Sequence, residues 1–133
     1  MHAHATGSFS ITMQPAAAPQ RVGRSSLGRV LLEKVYAGDL VATATGQMLN
    51  AVTDTRGAAG YVAMEAVTGT LQGREGSFVA QHAGTMADGQ QALSIVIVPH
   101  SGTGQLTGIS GTLAIRIVDG QHFYDIDYSL PEP

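Results

Sequence analysis

The side chains best suited to chemistry lie in two β-prone runs joined by a short glycine-containing connection. The runs are Tyr61 to Leu71 and Ser77 to Thr85, and this arrangement predicts a β-hairpin. Glu65 lies in the first run and His82 in the second. Burial among Ala and Val raises the pKa of a carboxyl group unless a donor lies opposite. Because a carboxylate beside a histidine forms an acid and base couple, Glu65 and His82 are the candidate catalytic residues.

The register of this hairpin decides which side chain lies beside Glu65. Neighbouring residues of a strand point to opposite faces, so Gln81 and His82 cannot both share its face. The connection predicts Glu65 opposite Gly84, with His82 diagonal to Glu65 on the same face. A shift of one residue would bring Gln81 there instead. Two purely structural interpretations stay open: an outward Glu65 paired with Arg74 or Gln81, and a core His82 bonded to backbone carbonyls.

Four further side chains are candidate ligand contacts. In the last predicted strand two tyrosines share one face, and two aspartates lie on the other. The aspartates favour solvent, so the tyrosine hydroxyls could face inward and donate hydrogen bonds to a carbonyl or epoxide oxygen. If the other face of the central hairpin is the inner one, Gln81 and Met64 line the interior. The candidate ligand-binding residues are therefore Tyr124, Gln81, Tyr128 and Met64.

Neither a metal nor a cofactor is predicted. His2 and His4 could offer a His-x-His pair, but a metal site needs three or four ligands and no second cluster accompanies them. The segment after Gly102 and Gly104 supplies neither the lysine nor the long helix that a phosphate-binding loop needs. No order of Ser, His and Asp resembles a hydrolase elbow.

Length and composition indicate one folded domain over residues 1–133, with no room for a second. Hydrophobic residues make up 44% and charged residues 13%, so the surface carries little charge and favours self-association as a dimer or trimer. The net charge is −3 and only seven Lys and Arg are present, which argues against a nucleic-acid partner. The absence of cysteine excludes disulfides, thiol nucleophiles and thiolate metal sites.

The N-terminus has no basic segment followed by an apolar run, and no stretch approaches the roughly 18 apolar residues of a membrane span. We therefore expect a cytoplasmic protein without a membrane partner.

Glycines and turn pairs divide the chain into eight β-prone runs, and no helical period is present. Turn signals occur at Gly38-Asp39, Asp88-Gly89 and Asp119-Gly120. Two prolines predict a loop over residues 14–23. The glycine-rich segment 99–111 predicts a loop with one helical turn near residues 104–107. Eight antiparallel strands suffice to close a barrel with a small interior, so the predicted fold is all-β, an eight-stranded antiparallel β-barrel.

Several blocks, in the same order along the chain, resemble the DUF3224 family of small bacterial proteins of unknown function. They are residues 4–9, 36–40, 65–71, 73–85 and 101–111. The family is similar in fold to the plant allene oxide cyclases and the dirigent proteins. The resemblance implies a calycin-like barrel with a mainly apolar lumen, which in those relatives guides cyclisation or coupling of reactive hydrophobic intermediates. It implies the fold and not the activity.

Three functions remain open, and the sequence does not decide whether the protein is an enzyme. The first is binding of a small apolar or amphipathic molecule in the lumen. The second is a cofactor-independent isomerase or cyclase of the allene oxide cyclase type, acting on a reactive oxygenated intermediate. The third is a non-catalytic, oligomerising structural protein.

Overall fold

The computed structural model describes residues 1–132 and consists of nine strands and one short helical turn. Within these residues no helix has the length and apolar character needed to cross a membrane. The turn is a 3-10 helix at Gly104–Leu106, where the sequence predicts it. The strands are β1 His2–Pro15, β2 Gln20–Val22, β3 Ser25–Gly38, β4 Leu40–Thr53, β5 Ala59–Leu71, β6 Arg74–Ala87, β7 Gln90–Ile97, β8 Ser110–Val118 and β9 Gln121–Ser129.

Eight of the strands form a closed antiparallel barrel, which confirms the predicted fold. Each strand from β3 to β9 pairs with its sequence neighbour, and β1 closes the barrel by pairing with both β9 and β3. The ninth strand, β2, was predicted as part of a loop. It continues the pairing of β1 along β3 after Pro15 and Pro19, which interrupt the ladder because proline has no N–H to donate.

Two-residue turns close three of the hairpins. Gln72 and Gly73 have φ of 45° and 84°, and the two Asp-Gly pairs at 88–89 and 119–120 also have positive φ at both positions. Positive φ at both central residues is what a type I′ turn requires, and glycine adopts it without a steric cost.

The turn at Gln72 and Gly73 is tighter than the sequence predicts, so the predicted register of the central hairpin is wrong. Glu65 pairs with Ala80, not with Gly84, and His82 pairs with Ala63. The difference is an even number of residues, which leaves every side chain on its predicted face. His82 therefore remains a diagonal neighbour of Glu65, but it lies two residues after the partner of Glu65 instead of two residues before it.

The barrel interior has a packed half and an open half. In the packed half large side chains from several strands fill the lumen, among them Leu40, Leu71, Phe78, Tyr124, Ile126 and Tyr128, each no more than 1% exposed. The glycine-rich loop covers this end and inserts Leu106 and Ile109 into the same core. At the other end of the strands no comparable cover exists among residues 1–132.

The hydroxyl of Tyr124 ties the packed half to the β3–β4 turn. It accepts a hydrogen bond from the Leu40 N–H at 2.8 Å and donates one to the Ala37 carbonyl at 2.9 Å. The Tyr124→Phe variant lacks this hydroxyl and leaves the buried Leu40 N–H without a partner. We therefore expect the free energy of unfolding to fall by about 1–3 kcal/mol. Urea denaturation measures this, with Tyr61→Phe as the control. An equal loss in both variants would contradict this role.

Candidate functional site

Glu65 occupies the middle of the lumen, where it is the centre of a buried polar cluster. Its side chain on β5 points inward and is 1% exposed. One carboxylate oxygen, Oε1, accepts hydrogen bonds from His82 Nε2 at 2.8 Å and from Lys34 Nζ at 3.1 Å. The other, Oε2, accepts a hydrogen bond from the Tyr36 hydroxyl. The four side chains, Glu65, His82, Lys34 and Tyr36, are hereafter the Glu65 cluster.

The three donors keep Glu65 ionised. Desolvation by itself would raise the pKa of Glu65, but the His82 hydrogen bond, the Lys34 charge and the Tyr36 hydrogen bond together lower it below its ordinary value. Burial and the neighbouring carboxylate raise the pKa of Tyr36, which stays a neutral donor. The cluster is thus an ion pair between Lys34 and Glu65, with two further donors on the carboxylate.

Small residues on β4 allow this cluster to form across an intervening strand. Lys34 and Tyr36 lie on β3, which does not pair with β5; β4 runs between them. On its inner face β4 places Gly46 opposite Glu65 and Ala44 opposite Lys34. A Cβ at Gly46 would lie 2.5 Å from the Met64 carbonyl oxygen, closer than atoms can pack. With almost no side-chain bulk on β4, the Lys34 and Tyr36 side chains reach over it to the carboxylate.

A cavity of about 390 Å³ fills the open half of the lumen, above the Glu65 cluster. All eight barrel strands contribute to its wall. Most of the lining is apolar, including Phe9, Ile11, Leu32, Met48, Leu93 and Ile115. Lys34 and His82 also line it, whereas Glu65 does not. The volume is within the range of small-molecule sites, and the lysine and histidine separate the carboxylate from any occupant.

His82 presents one ring nitrogen to this cavity. Because the ionised Glu65 can only accept, His82 Nε2 must donate to it, and in the neutral ring Nδ1 is then an acceptor. No hydrogen bond within residues 1–132 uses Nδ1, yet no side-chain nitrogen or oxygen there is both fully buried and unpaired. His82 Nδ1 is therefore accessible, and because the His82 ring lies inside the barrel against Glu65, the space it opens to is this cavity rather than the outer pocket beside Met64 and Gln81.

Lys34 also has donor capacity left. Its ammonium has three N–H groups, of which one is hydrogen-bonded, to Glu65. The nitrogen lies 4.8 Å from the centroid of the Phe9 ring, which lines the cavity as well. Lys34 Nζ and His82 Nε2 bond to the same oxygen atom, which holds the two side chains close together. The site can thus offer one base and one cationic donor to the same small group.

The other predicted site residues lie away from this cavity. Met64 and Gln81 point to the outer surface, and Met64 is 52% exposed. Tyr124 and Tyr128 point inward, but both lie in the packed half, where the Tyr128 hydroxyl is hydrogen-bonded to Gln72. The structure therefore brings together Glu65 and His82 and separates them from the four ligand candidates.

The two N-terminal histidines pair with aspartates on the outside of the barrel. His2 contacts Asp127, and His4 Nε2 lies 3.4 Å from Asp125 Oδ1. Among residues 1–132 no three His, Cys, Asp or Glu side chains are grouped as a metal site requires.

Comparison with known proteins assigns the chain to a family. The family model described as "Protein of unknown function (DUF3224)" matches residues 5–128. The chain belongs to the DUF3224 family. A crystal structure of a DUF3224 protein of unknown function from Shewanella oneidensis MR-1 is 47% identical in sequence, superposes with a TM-score of 0.94, and matches over 100% of both chains. No curated protein matches this DUF3224 chain.

Two members of the Glu65 cluster in this DUF3224 protein were not identified from the sequence. Neither Lys34 nor Tyr36 is among the predicted site residues. Alternation places Lys34 with Leu32 and Tyr36 on one face, but it also places Glu33 with Leu31 and Val35 on the other. Each face has one charge and two apolar residues, so the pattern does not decide which one is buried. One signal was available in the sequence: an inward Glu65 needs a cation to neutralise it.

Proposed function

We propose that the protein binds one small, mainly apolar molecule in the open half of its barrel, with the molecule's polar group against Lys34 and His82. The observation that supports this is the cavity itself: about 390 Å³, largely apolar, with Lys34 and His82 in its lining. Apolar walls with a few convergent polar groups are typical of ligand sites. The apolar part would be held by burial, and the polar group would be oriented by the Glu65 cluster.

Two neighbouring residues on β4 provide a matched test of this proposal. Met48 points into the cavity, whereas Leu49 points outward and is 56% exposed. We expect Met48→Trp to fill the cavity and weaken binding of an apolar fluorescent probe, 1-anilinonaphthalene-8-sulfonate, by at least ~10-fold, since each 1.4 kcal/mol of lost contact is tenfold. Leu49→Trp should leave the affinity unchanged. Titration fluorimetry measures both; a loss confined to Leu49→Trp would place the probe on the outer surface and contradict the proposal.

A second candidate function is a cofactor-independent isomerase or cyclase. The observation that favours it is the Glu65–His82 pair, in which a buried carboxylate orients a histidine whose other nitrogen is accessible. This is the arrangement of a general base. The fold resemblance to allene oxide cyclases agrees with it. Turnover of an oxygenated apolar substrate should fall more than tenfold in Glu65→Gln and in His82→Ala; unchanged rates would remove this candidate.

We also propose that the protein self-associates through the outer face of β4 and β5. No charged side chain lies on this face, and Val41, Leu49, Val62 and Met64 are each more than half exposed there. An apolar groove of about 750 Å³ at the open end reaches Leu49 and Val62. Large exposed apolar areas mark interaction surfaces.

Light scattering after size-exclusion chromatography tests the self-association. We expect the wild type to be a dimer or trimer and the Leu49→Lys, Met64→Glu double variant to be a monomer. Val118→Lys, an exposed apolar position on β8, is the control and should keep the oligomer. A monomeric wild type would refute the proposal.

A further inference from the structure

We infer that the molecule bound in the open half is an enolisable carbonyl compound, and that the Glu65 cluster catalyses proton transfer at the carbon next to its carbonyl group. The inference rests on the proposed ligand site and specifies its chemistry. It follows from two of the polar groups that line the cavity, His82 Nδ1 as an acceptor and the free N–H groups of Lys34 as donors; the other polar residues of the lining are Tyr61, Gln91 and His122.

These two groups match the two needs of enolisation. Removing a proton from carbon requires a base in contact with the C–H bond. The resulting enolate requires a positive donor at the carbonyl oxygen, where the charge develops. His82 Nε2 and Lys34 Nζ are bonded to the same Glu65 oxygen, at 2.8 and 3.1 Å. This shared oxygen keeps the two side chains adjacent, so one small group that carries a C–H next to a carbonyl can contact both.

The reaction balances without any further reactant. His82 Nδ1 takes the α-proton, the electron pair of the C–H bond forms the C=C bond of the enolate, and the carbonyl π electrons move onto the oxygen bound by Lys34. The imidazolium then returns the proton to the same carbon, or to the far carbon of a conjugated system. Nothing is oxidised or reduced. If the imidazolium proton is first replaced by one from solvent, return to the same carbon exchanges the hydrogen; return to the far carbon shifts a double bond.

The rest of the cluster stabilises the charges that form. Glu65 faces both the imidazolium and the lysine, and in the intermediate the two positive and two negative charges sum to zero. A neutral total is what a buried site requires. Glu65 and Tyr36 are positioning residues here, because Glu65 bonds to His82 and Lys34, Tyr36 bonds to Glu65, and neither lines the cavity. The apolar side chains around the site lower the local dielectric, which strengthens the interaction of Lys34 with the enolate oxygen.

Hydrogen exchange into a simple ketone tests the inference. The wild-type protein is incubated with 2-octanone in D₂O buffer, and proton NMR follows the loss of the α-protons. We expect the exchange rate with wild type to exceed that with His82→Ala by about 10²–10⁴-fold, the usual contribution of a general base. Lys34→Met should also slow exchange, while Glu33→Ala, an exposed acid on the same strand, should not.

Two further measurements separate this inference from the proposed ligand site. Displacement of the fluorescent probe shows whether 2-octanone binds. Met48→Trp should abolish exchange and Leu49→Trp should not, and this comparison holds even if the His82→Ala variant fails to fold. Binding of the ketone with no exchange above the rate in buffer without protein would overturn the enolisation and leave the ligand site standing. Binding of the probe but not of the ketone would overturn it as well. Failure of the probe to bind would overturn the site and the inference together.

Discussion

Replacing Glu65 with alanine is expected to lower the free energy of unfolding by about 3–5 kcal/mol, the cost of breaking a buried ion pair by removing one partner. Lys34 would be left 4% exposed and without its counter-ion, and the hydroxyl of Tyr36 and the ring of His82 would lose their acceptor. Urea or guanidinium denaturation of the purified variant measures the loss.

Two companion variants show whether the unpaired lysine is the cause. Glu33→Ala removes an exposed acid next to Lys34 on β3 and should change the free energy of unfolding by no more than about 0.5 kcal/mol. Adding Lys34→Met to Glu65→Ala should recover more than about 1 kcal/mol, because the double variant buries no unpaired charge. If the double variant is less stable than Glu65→Ala alone, Lys34 is not held in place by the carboxylate.

Acidification is expected to erase the stability difference between the wild type and Glu65→Gln. The pKa of Glu65 is lowered in the folded protein, so the unfolded chain binds this proton more readily than the native protein does. The stability that the ionised carboxylate contributes is complete above the unfolded pKa of about 4.3. It is lost as the pH falls through the lower folded pKa.

Measuring the difference isolates Glu65 from the other carboxylates, which both proteins share. At pH 7 the wild type should be the more stable, because glutamine cannot neutralise Lys34. Below about pH 4 the two denaturation curves should converge, since a protonated Glu65 resembles glutamine. A difference that stays constant or widens on acidification would mean that Glu65 is not held ionised by its neighbours.

Local rules were sufficient for the barrel. Gly-containing turns and alternating strands predicted eight antiparallel strands, and the two Asp-Gly turns lie where predicted. Pro15 and Pro19 predict a loop over residues 14–23, but within it only residues 16–19 and Gly23 lie outside strands, because β2 pairs with β3. β2 forms a short hairpin with the start of β3 across the two residues 23–24, and the prolines just before it hide this strand in the local composition.

The candidate site was predictable only within one hairpin. Glu65 and His82 lie on adjacent strands, so alternation alone could place them on one face. Lys34 and Tyr36 come from β3 and reach Glu65 across β4, a contact that depends on the small inner residues Ala44 and Gly46 and on closure of the sheet. The interior also divides into packed and open halves. That division follows from where the glycine-rich loop docks, and it leaves Tyr124 outside the lining of the cavity.

The proposed ligand binding and the enolisation both require that His82 present a free ring nitrogen to a cavity that takes up a small molecule. Long-range proton–nitrogen NMR of histidine-labelled protein, with and without 2-octanone, measures this; the exposed His2, His4 and His100 serve as internal references. We expect His82 to have its proton on Nε2 and its Nδ1 resonance to shift when the ketone is added, while the references do not move. A His82 protonated on Nδ1 with a bare Nε2, or one unaffected by saturating ketone, would contradict it.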